Sequence, residues 1–266
     1  MVFNDGDELI SIPFKVVVFT IAGLPLSALF LCVAISMMLH WDEATRTHCG
    51  VPNYFPSVSA AVAAYSPERY IWRLFVGIHG TPRLLLAVAY RNFLISSPLK
   101  PFPPTKWFNF ACNASCVINL LENLFLLLLT SISSVEDYYW HKTCFIGFVI
   151  CSLSFMGLST WLFSYSGRRR TNILGEQSFN YKITCGVAET VSLICAMYFF
   201  YRHNAFCEPF IYSMFALSEY AVVIFNVLFH LTAYYDFHSK RFSLLSLSGV
   251  AQYEHLPMHN YEEKRT

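Results

Sequence analysis

Six apolar runs, at 16–39, 70–90, 108–131, 143–165, 183–201 and 211–232, alternate with shorter polar stretches along this 266-residue chain. A helix rises 1.5 Å per residue, so runs of about 20 residues match the ~30 Å hydrocarbon core of a bilayer, and the pattern predicts six transmembrane helices. Ionisable residues interrupt these runs: Arg73, His79, Arg83, Glu122, Glu189, Glu219 and His230. A charge at bilayer depth costs about 2.5–3.5 kcal/mol on insertion scales, so such side chains are expected to face a protein interior or a wet cavity. Their spacing agrees. Glu219, Asn226 and His230 share one helix face, as do Asn119, Glu122 and Asn123, while His79 and Arg83 are four residues apart. Three such stripes predict one internal polar seam. It serves either as a headgroup or proton-transfer site, or as interhelical hydrogen bonds and ion pairs that hold the bundle.

Composition adds little beyond the class. Hydrophobic residues make up 55% of the chain and charged ones 13%. The expected fold is therefore an all-α, polytopic six-helix membrane bundle. The stretch 40–69 and the tail from 233 are each too short for an independent domain. Residues 1–240 are read as one six-span membrane domain and 241–266 as a disordered cytosolic tail. The net charge of +1 is uninformative, but its distribution is not. Twelve Lys and Arg flank the runs on the side of the two termini, against Arg46, Arg69, Lys142 and Arg202 on the other. The positive-inside rule thus places both termini in the cytosol, and the loops after the first, third and fifth spans on the lumenal or extracellular side. Arg168–Arg170 reads as a topology anchor, with anionic lipid a secondary contact. Asp5, Asp7 and Glu8 replace a basic leader, so the first run reads as a retained signal anchor. Pro98, Pro101, Pro103 and Pro104 predict a stiff, non-helical cytosolic connector. No nucleic-acid partner is expected.

Seven of the nine cysteines lie in or at the edges of the runs, where a small soft side chain is ordinary. Cys49 and Cys207 lie instead in two loops assigned to the oxidising side. A disulfide between them is expected, with two free thiols as the alternative. Cys112 and Cys116 are four apart but have no histidine or cysteine partners for a metal, and no metal site is expected.

The first outer loop reads Thr47-His48-Cys49-Gly50-Val51-Pro52-Asn53-Tyr54-Phe55-Pro56-Ser57-Val58-Ser59, followed by Pro67-Glu68-Arg69-Tyr70-Ile71-Trp72-Arg73. With Pro82-Arg83, Glu122-Asn123-Leu124, Ser133-Ser134-Val135-Glu136-Asp137, Tyr201-Arg202-His203-Asn204, Cys207-Glu208, Glu219-Tyr220 and the 229–237 stretch from Phe229 to Phe237, this resembles the Frag1/DRAM/Sfk1 family over roughly residues 15–240. The resemblance implies a role in remodelling glycosylphosphatidylinositol (GPI) anchors in the Golgi membrane, and also the endoplasmic reticulum membrane. The implied step attaches a saturated acyl chain to the sn-2 position of a lyso-GPI, on the lumenal leaflet. It supplies no established catalytic motif to carry over. Whether the chain is itself the acyltransferase, or a non-catalytic cofactor, lipid carrier or scaffold for a separate one, stays open.

Acyl transfer to a hydroxyl needs a general base and donors for the oxyanion. His203, between Arg202 and Asn204, offers a base, an anion anchor and an amide donor in three residues, and the alternative for His203 is loop structure. Arg73 suits a lipid phosphate through bidentate contacts, or else pairs with a carboxylate such as Glu219. Catalysis is therefore expected of His203, Asn204 and Glu219, and substrate binding of Arg73, Arg202, His79, Glu122 and Asn123. No tightly bound cofactor is expected, and the acyl donor is acyl-CoA or a phospholipid. A Gly-x-Ser-x-Gly elbow, a His-Glu-x-x-His site and a His-x4-Asp box are all absent from the sequence.

Overall fold

The apolar runs fold as helices whose ends are fixed by local hydrogen bonds. In chain order the elements are β1 (Glu8–Pro13), α1 (Phe14–Leu39), α2 (Trp41–Ala44), α3 (Val58–Ala63), α4 (Glu68–Ile95), α5 (Lys106–Ser131), α6 (Tyr138–Tyr165), a 3-10 turn (Arg168–Arg170), α7 (Ile173–Phe206), α8 (Ile211–Leu231), α9 (Ala233–Asp236) and β2 (Arg241–Leu245). The computed structural model describes residues 8–97 and 106–245. The expected proline connector, from Pro98 to Pro104, and residues 246–266 lie outside the described residues.

Two helices begin well before their apolar runs. Asp137 caps α6 by accepting the Trp140 N–H at 3.1 Å, and Asn172 caps α7 by accepting the Gly175 N–H at 2.7 Å. The first turns of α7 carry Glu176, Gln177 and Asn180, so hydropathy alone missed them. The six long helices close into a ring. In it α1 packs on α4, α4 on α5, α5 on α6, α6 on α7, α7 on α8, and α8 back on α1. Among the described residues five helices are long and apolar enough to cross a membrane, which fits an all-α polytopic membrane protein. Helix α4 is as long as α6 but carries Glu68, Arg69, Arg73, Arg83 and Arg91.

The start of the expected disordered tail is ordered. Arg241–Leu245 pairs antiparallel with Glu8–Pro13, and Arg241 donates to Ser11 Oγ at 2.8 Å. Beneath this ribbon Phe14 stacks on Phe237, with ring centroids 4.4 Å apart, in a core that includes Val18, Leu94, Phe108 and Phe163. At the opposite end Cys49 and Cys207 are joined by a disulfide, with Cα atoms 5.3 Å apart, so the two are not free thiols. Cys207 sits at φ 50° as the left-handed cap of α7, and the Phe210 N–H donates to Pro52 O at 3.0 Å.

Helices α5 and α6 approach closely at Gly147, where a Cβ would stand 2.7 Å from Phe125 Cε1. Gly147→Ala is expected to cost about 1–3 kcal/mol through overpacking. This is read as a lower thermal midpoint in detergent, with Gly157→Ala, which opens into free space on the same helix, as the unaffected control.

Candidate functional site

A cavity that is partly open to the outside is bounded by α1, α3, α4, α5, α6 and α8. Val62, Trp72, Val76, Leu126, Phe148 and Val223 make its walls apolar. Polar side chains gather at two levels. Ser59, Arg73, His141 and Glu219 lie at one, and Arg83, Asn226 and His230 at the other, with His79 between them. Arg73 and Arg83 are ten residues apart on α4, so the two levels are separated by about 15 Å of helix rise. An apolar passage with a few convergent polar groups is the usual form of a small-molecule site.

The first level is built by loops held against helix ends. Arg73 Nη2 donates to Glu136 Oε2 at 2.9 Å and to Ser131 O at 3.0 Å, so its carboxylate partner is Glu136 and not Glu219. Glu136 also accepts the Ser133 N–H at 3.0 Å. These bonds, the backbone one foremost, hold its carboxyl below the ordinary range. Glu219 Oε2 accepts the Val58 N–H at 2.7 Å, fixing the start of α3. The next residue, Ser59, places its Oγ 2.9 Å from His141 Nε2, and His141 Nδ1 donates to Ile132 O at 2.7 Å. Neither Ser59 nor His141 was expected from sequence. Serine is common, and their separation of 82 residues leaves no local signal.

The second level is a buried network drawn from five helices. Arg83 Nη2 lies 2.5 Å from Glu122 Oε1, with the two side chains 3% and 0% exposed. Arg83 also donates to His230 Nε2 at 2.5 Å, which makes that nitrogen an acceptor, since a guanidinium only donates. Asn226 Nδ2 donates to Glu122 Oε1 at 3.0 Å and to Ser152 Oγ at 2.8 Å, and Ser152 in turn donates to Glu189 Oε1 at 2.9 Å. Asn123 donates to Gly80 O at 3.1 Å, and His79 Nδ1 to Val76 O at 2.7 Å. The sequence stripes on α4, α5 and α8 do meet. Glu122 Oε2, Glu189 Oε2 and Arg83 Nε are buried without a protein partner.

The residues around His203 stand apart from the cavity. Arg202 forms a two-bond pair with Glu208, its Nε donating at 3.0 Å, and also contacts the Tyr198 hydroxyl at 3.1 Å. Asn204 donates to Phe200 O at 2.7 Å. His203 is buried beside Tyr212, at 5.0 Å between ring centroids, and neither ring nitrogen has a hydrogen-bond partner. Ligand atoms of His48, Cys49 and His203 lie within 4.8 Å of one another, but the Cys49 sulfur is committed to the disulfide and offers no thiolate. The structure thus brings Arg73, Glu219 and His79 to one cavity and sets Glu122 and Asn123 behind its wall. It leaves Arg202, His203 and Asn204 outside.

A family model described as the Frag1/DRAM/Sfk1/Cwh43P N-terminal domain matches residues 13–240. The chain belongs to the Frag1/DRAM/Sfk1 family. It is 55% identical over 251 residues to a Caenorhabditis briggsae protein named Post-GPI attachment to proteins factor 2, covering 94% of this chain and 95% of that one. A Caenorhabditis elegans protein of the same name is 52% identical, with 97% of each chain covered. A Xenopus tropicalis relative named Acyltransferase PGAP2 is 35% identical over 91% of this chain and 94% of its own. No solved structure matches at a significant level.

In this member of the Frag1/DRAM/Sfk1 family a second buried pair lies under the β ribbon. Lys182 Nζ donates to Asp236 Oδ2 at 2.7 Å and to Ser178 Oγ at 2.6 Å, and stands 4.6 Å from the centre of the Phe163 ring. Counting Lys182 with the surface cations concealed this role. Arg168 and Arg169, read as a topology anchor, also spend their guanidinium groups internally, on Phe93 O and Glu176. Removing one partner of a buried pair typically costs about 3–5 kcal/mol, because the other charge is stranded, whereas replacing both with apolar groups is far milder. Arg83→Met is expected to destabilise the bundle by about that amount, and Arg83→Met with Glu122→Leu to recover most of it. Thermal unfolding in detergent is the measurement.

Proposed function

We propose that this chain is a lipid acyltransferase that restores a saturated acyl chain to the sn-2 hydroxyl of lyso-GPI, in the Golgi membrane and also the endoplasmic reticulum membrane. The observation that carries this reading is the cavity, an apolar passage of acyl-chain character with Ser59, Arg73, His141 and Glu219 at one end. Those residues stand on α3, α4, α6 and α8 toward the disulfide-bonded end of the bundle, which is the lumenal end if both termini are cytosolic. The β1–β2 ribbon supports that topology. It pairs Pro13 with Arg241, so the chain enters and leaves the bundle at one end, which agrees with an even number of crossings in which α4 joins the five apolar helices. The names of the relatives point to GPI-anchor processing, and that of the Xenopus tropicalis protein to acyl transfer.

A second reading, a non-catalytic lipid carrier or scaffold, draws support from the internal pairing of Arg73, Arg202 and Asn204. Purified protein supplied with lyso-GPI and radiolabelled stearoyl-CoA or stearoyl phospholipid separates the two. Label is expected to reach lyso-GPI, and Val223→Trp, which fills the cavity, is expected to reduce transfer at least tenfold without lowering the thermal midpoint. Binding of lyso-GPI with no transfer would establish the carrier instead.

A further inference from the structure

The contact between Ser59 and His141 has the form of an activated nucleophile. His141 Nδ1 lies 2.7 Å from Ile132 O, and a carbonyl only accepts, so Nδ1 carries the proton and Nε2 presents its lone pair. At 2.9 Å from Nε2, the Ser59 hydroxyl is the donor. Nucleophile, base and orienting group thus stand within hydrogen-bond reach of one another, the arrangement that defines a serine–histidine acyl-transfer centre on unrelated folds. Both side chains are half-buried and line the cavity, so an acyl group lying along its apolar walls can meet them.

The surroundings fix this pair from both sides. Glu219 holds the Val58 N–H, one residue before Ser59, and Ser57 caps the same short helix by accepting the Ala60 N–H at 3.0 Å. Arg73 bonds Ser131 O and Glu136, the two ends of the turn that presents Ile132 O to His141. Glu219 and Arg73 are thereby positioning residues, acting through backbone rather than touching the reacting atoms.

Resting on the acyl-transfer reading above, we propose that Ser59 is the acyl-carrying nucleophile and His141 its general base. With a donor R–CO–X, where X is the sulfur of a thioester or the oxygen of a phospholipid ester, Ser59 Oγ attacks the carbonyl carbon and gives its proton to His141 Nε2. The tetrahedral adduct collapses, the C–X bond breaks, and X leaves with that proton as a thiol or alcohol. The acyl group is now an ester on Ser59. The lyso-lipid hydroxyl then gives its proton to Nε2 and attacks the ester, and Ser59 Oγ leaves and recovers the proton. The sum is one ester or thioester and one hydroxyl exchanged for a new ester and HX, with nothing oxidised or reduced.

The test omits the acceptor. Full-length protein in detergent is incubated with stearoyl-CoA or with distearoyl phosphatidylcholine, and in parallel with a fluorophosphonate, and the Ser59 peptide is mapped by mass. A stearoyl adduct on Ser59 is expected, and the donor that produces it identifies X. Fluorophosphonate labelling of the same residue is expected to fall by about 10²–10⁴-fold in His141→Gln, the usual contribution of a general base. Ser59→Ala is expected to lose the adduct, and Ser59→Cys to retain it as a thioester, which controls for folding. Ser59 labelling that depends on His141 without transfer to lyso-GPI would support the pair and sink only the remodelling role. Transfer to lyso-GPI that persists in Ser59→Ala, with Ser59 unlabelled in the parent, would overturn the pair and leave that role standing. Neither labelling nor transfer, in protein with its disulfide and thermal midpoint intact, would overturn both.

Discussion

The contact between Arg83 and Glu122 is the constraint around which the bundle is arranged. Within a bilayer the lipid tails are as apolar as leucine, so helices gain little by burying hydrophobic faces against each other. Packing and polar contacts decide their register instead. Arg83 on α4 meets Glu122 on α5, and Asn226 and His230 on α8 join them, with Ser152 and Glu189 extending the chain of contacts through α6 to α7. Sliding any of these helices by one turn would strand a charge or an amide in hydrocarbon. The network therefore selects one axial alignment for five of the six helices, while α1 closes the ring by packing on α4 and α8.

That alignment also shapes the cavity. Its lower level is made of the same Arg83, Asn226 and His230 that lock the helices, and each of these side chains is bonded to Glu122 or to a neighbour within the network. The upper level differs in kind. There the fixed groups, Arg73 and Glu219, are spent on backbone and loop partners, and the half-buried Ser59 and His141 are left facing the passage. The two levels separate holding the bundle from handling a ligand.

Sequence made the lower level legible but only half of the upper one, where Arg73 and Glu219 stood out and Ser59 and His141 did not. Helical spacing alone put Glu122 and Asn123 on one face and Asn226 and His230 on another, and hydropathy made burial of those faces necessary. The disulfide followed from two cysteines outside the apolar runs and from the uneven distribution of Lys and Arg. The Ser59–His141 contact depends on how the turn after α5 meets the short helix α3, which no periodicity encodes. Lys182 was misread for a related reason. A lysine near the end of an apolar run reads as a surface anchor, and only the return of the chain through α9 brings Asp236 to it. The sequence cluster around His203 was attractive because its residues are adjacent, yet adjacency on a helix turns them in different directions. Arg202 finds Glu208, Asn204 finds its own helix, and His203 turns inward.

The bond between Cys49 and Cys207 spans 158 residues of sequence, and everything from α3 to α7 lies between its two sulfurs. A single cut of the backbone within that span, for instance in the turn at Ser133–Asp137, would leave one molecule rather than two fragments. Helix α1 enters and α8 leaves beside this covalent closure, while the paired strands tie their far ends together. The two helices at the seam of the ring are thus anchored at both faces of the bundle.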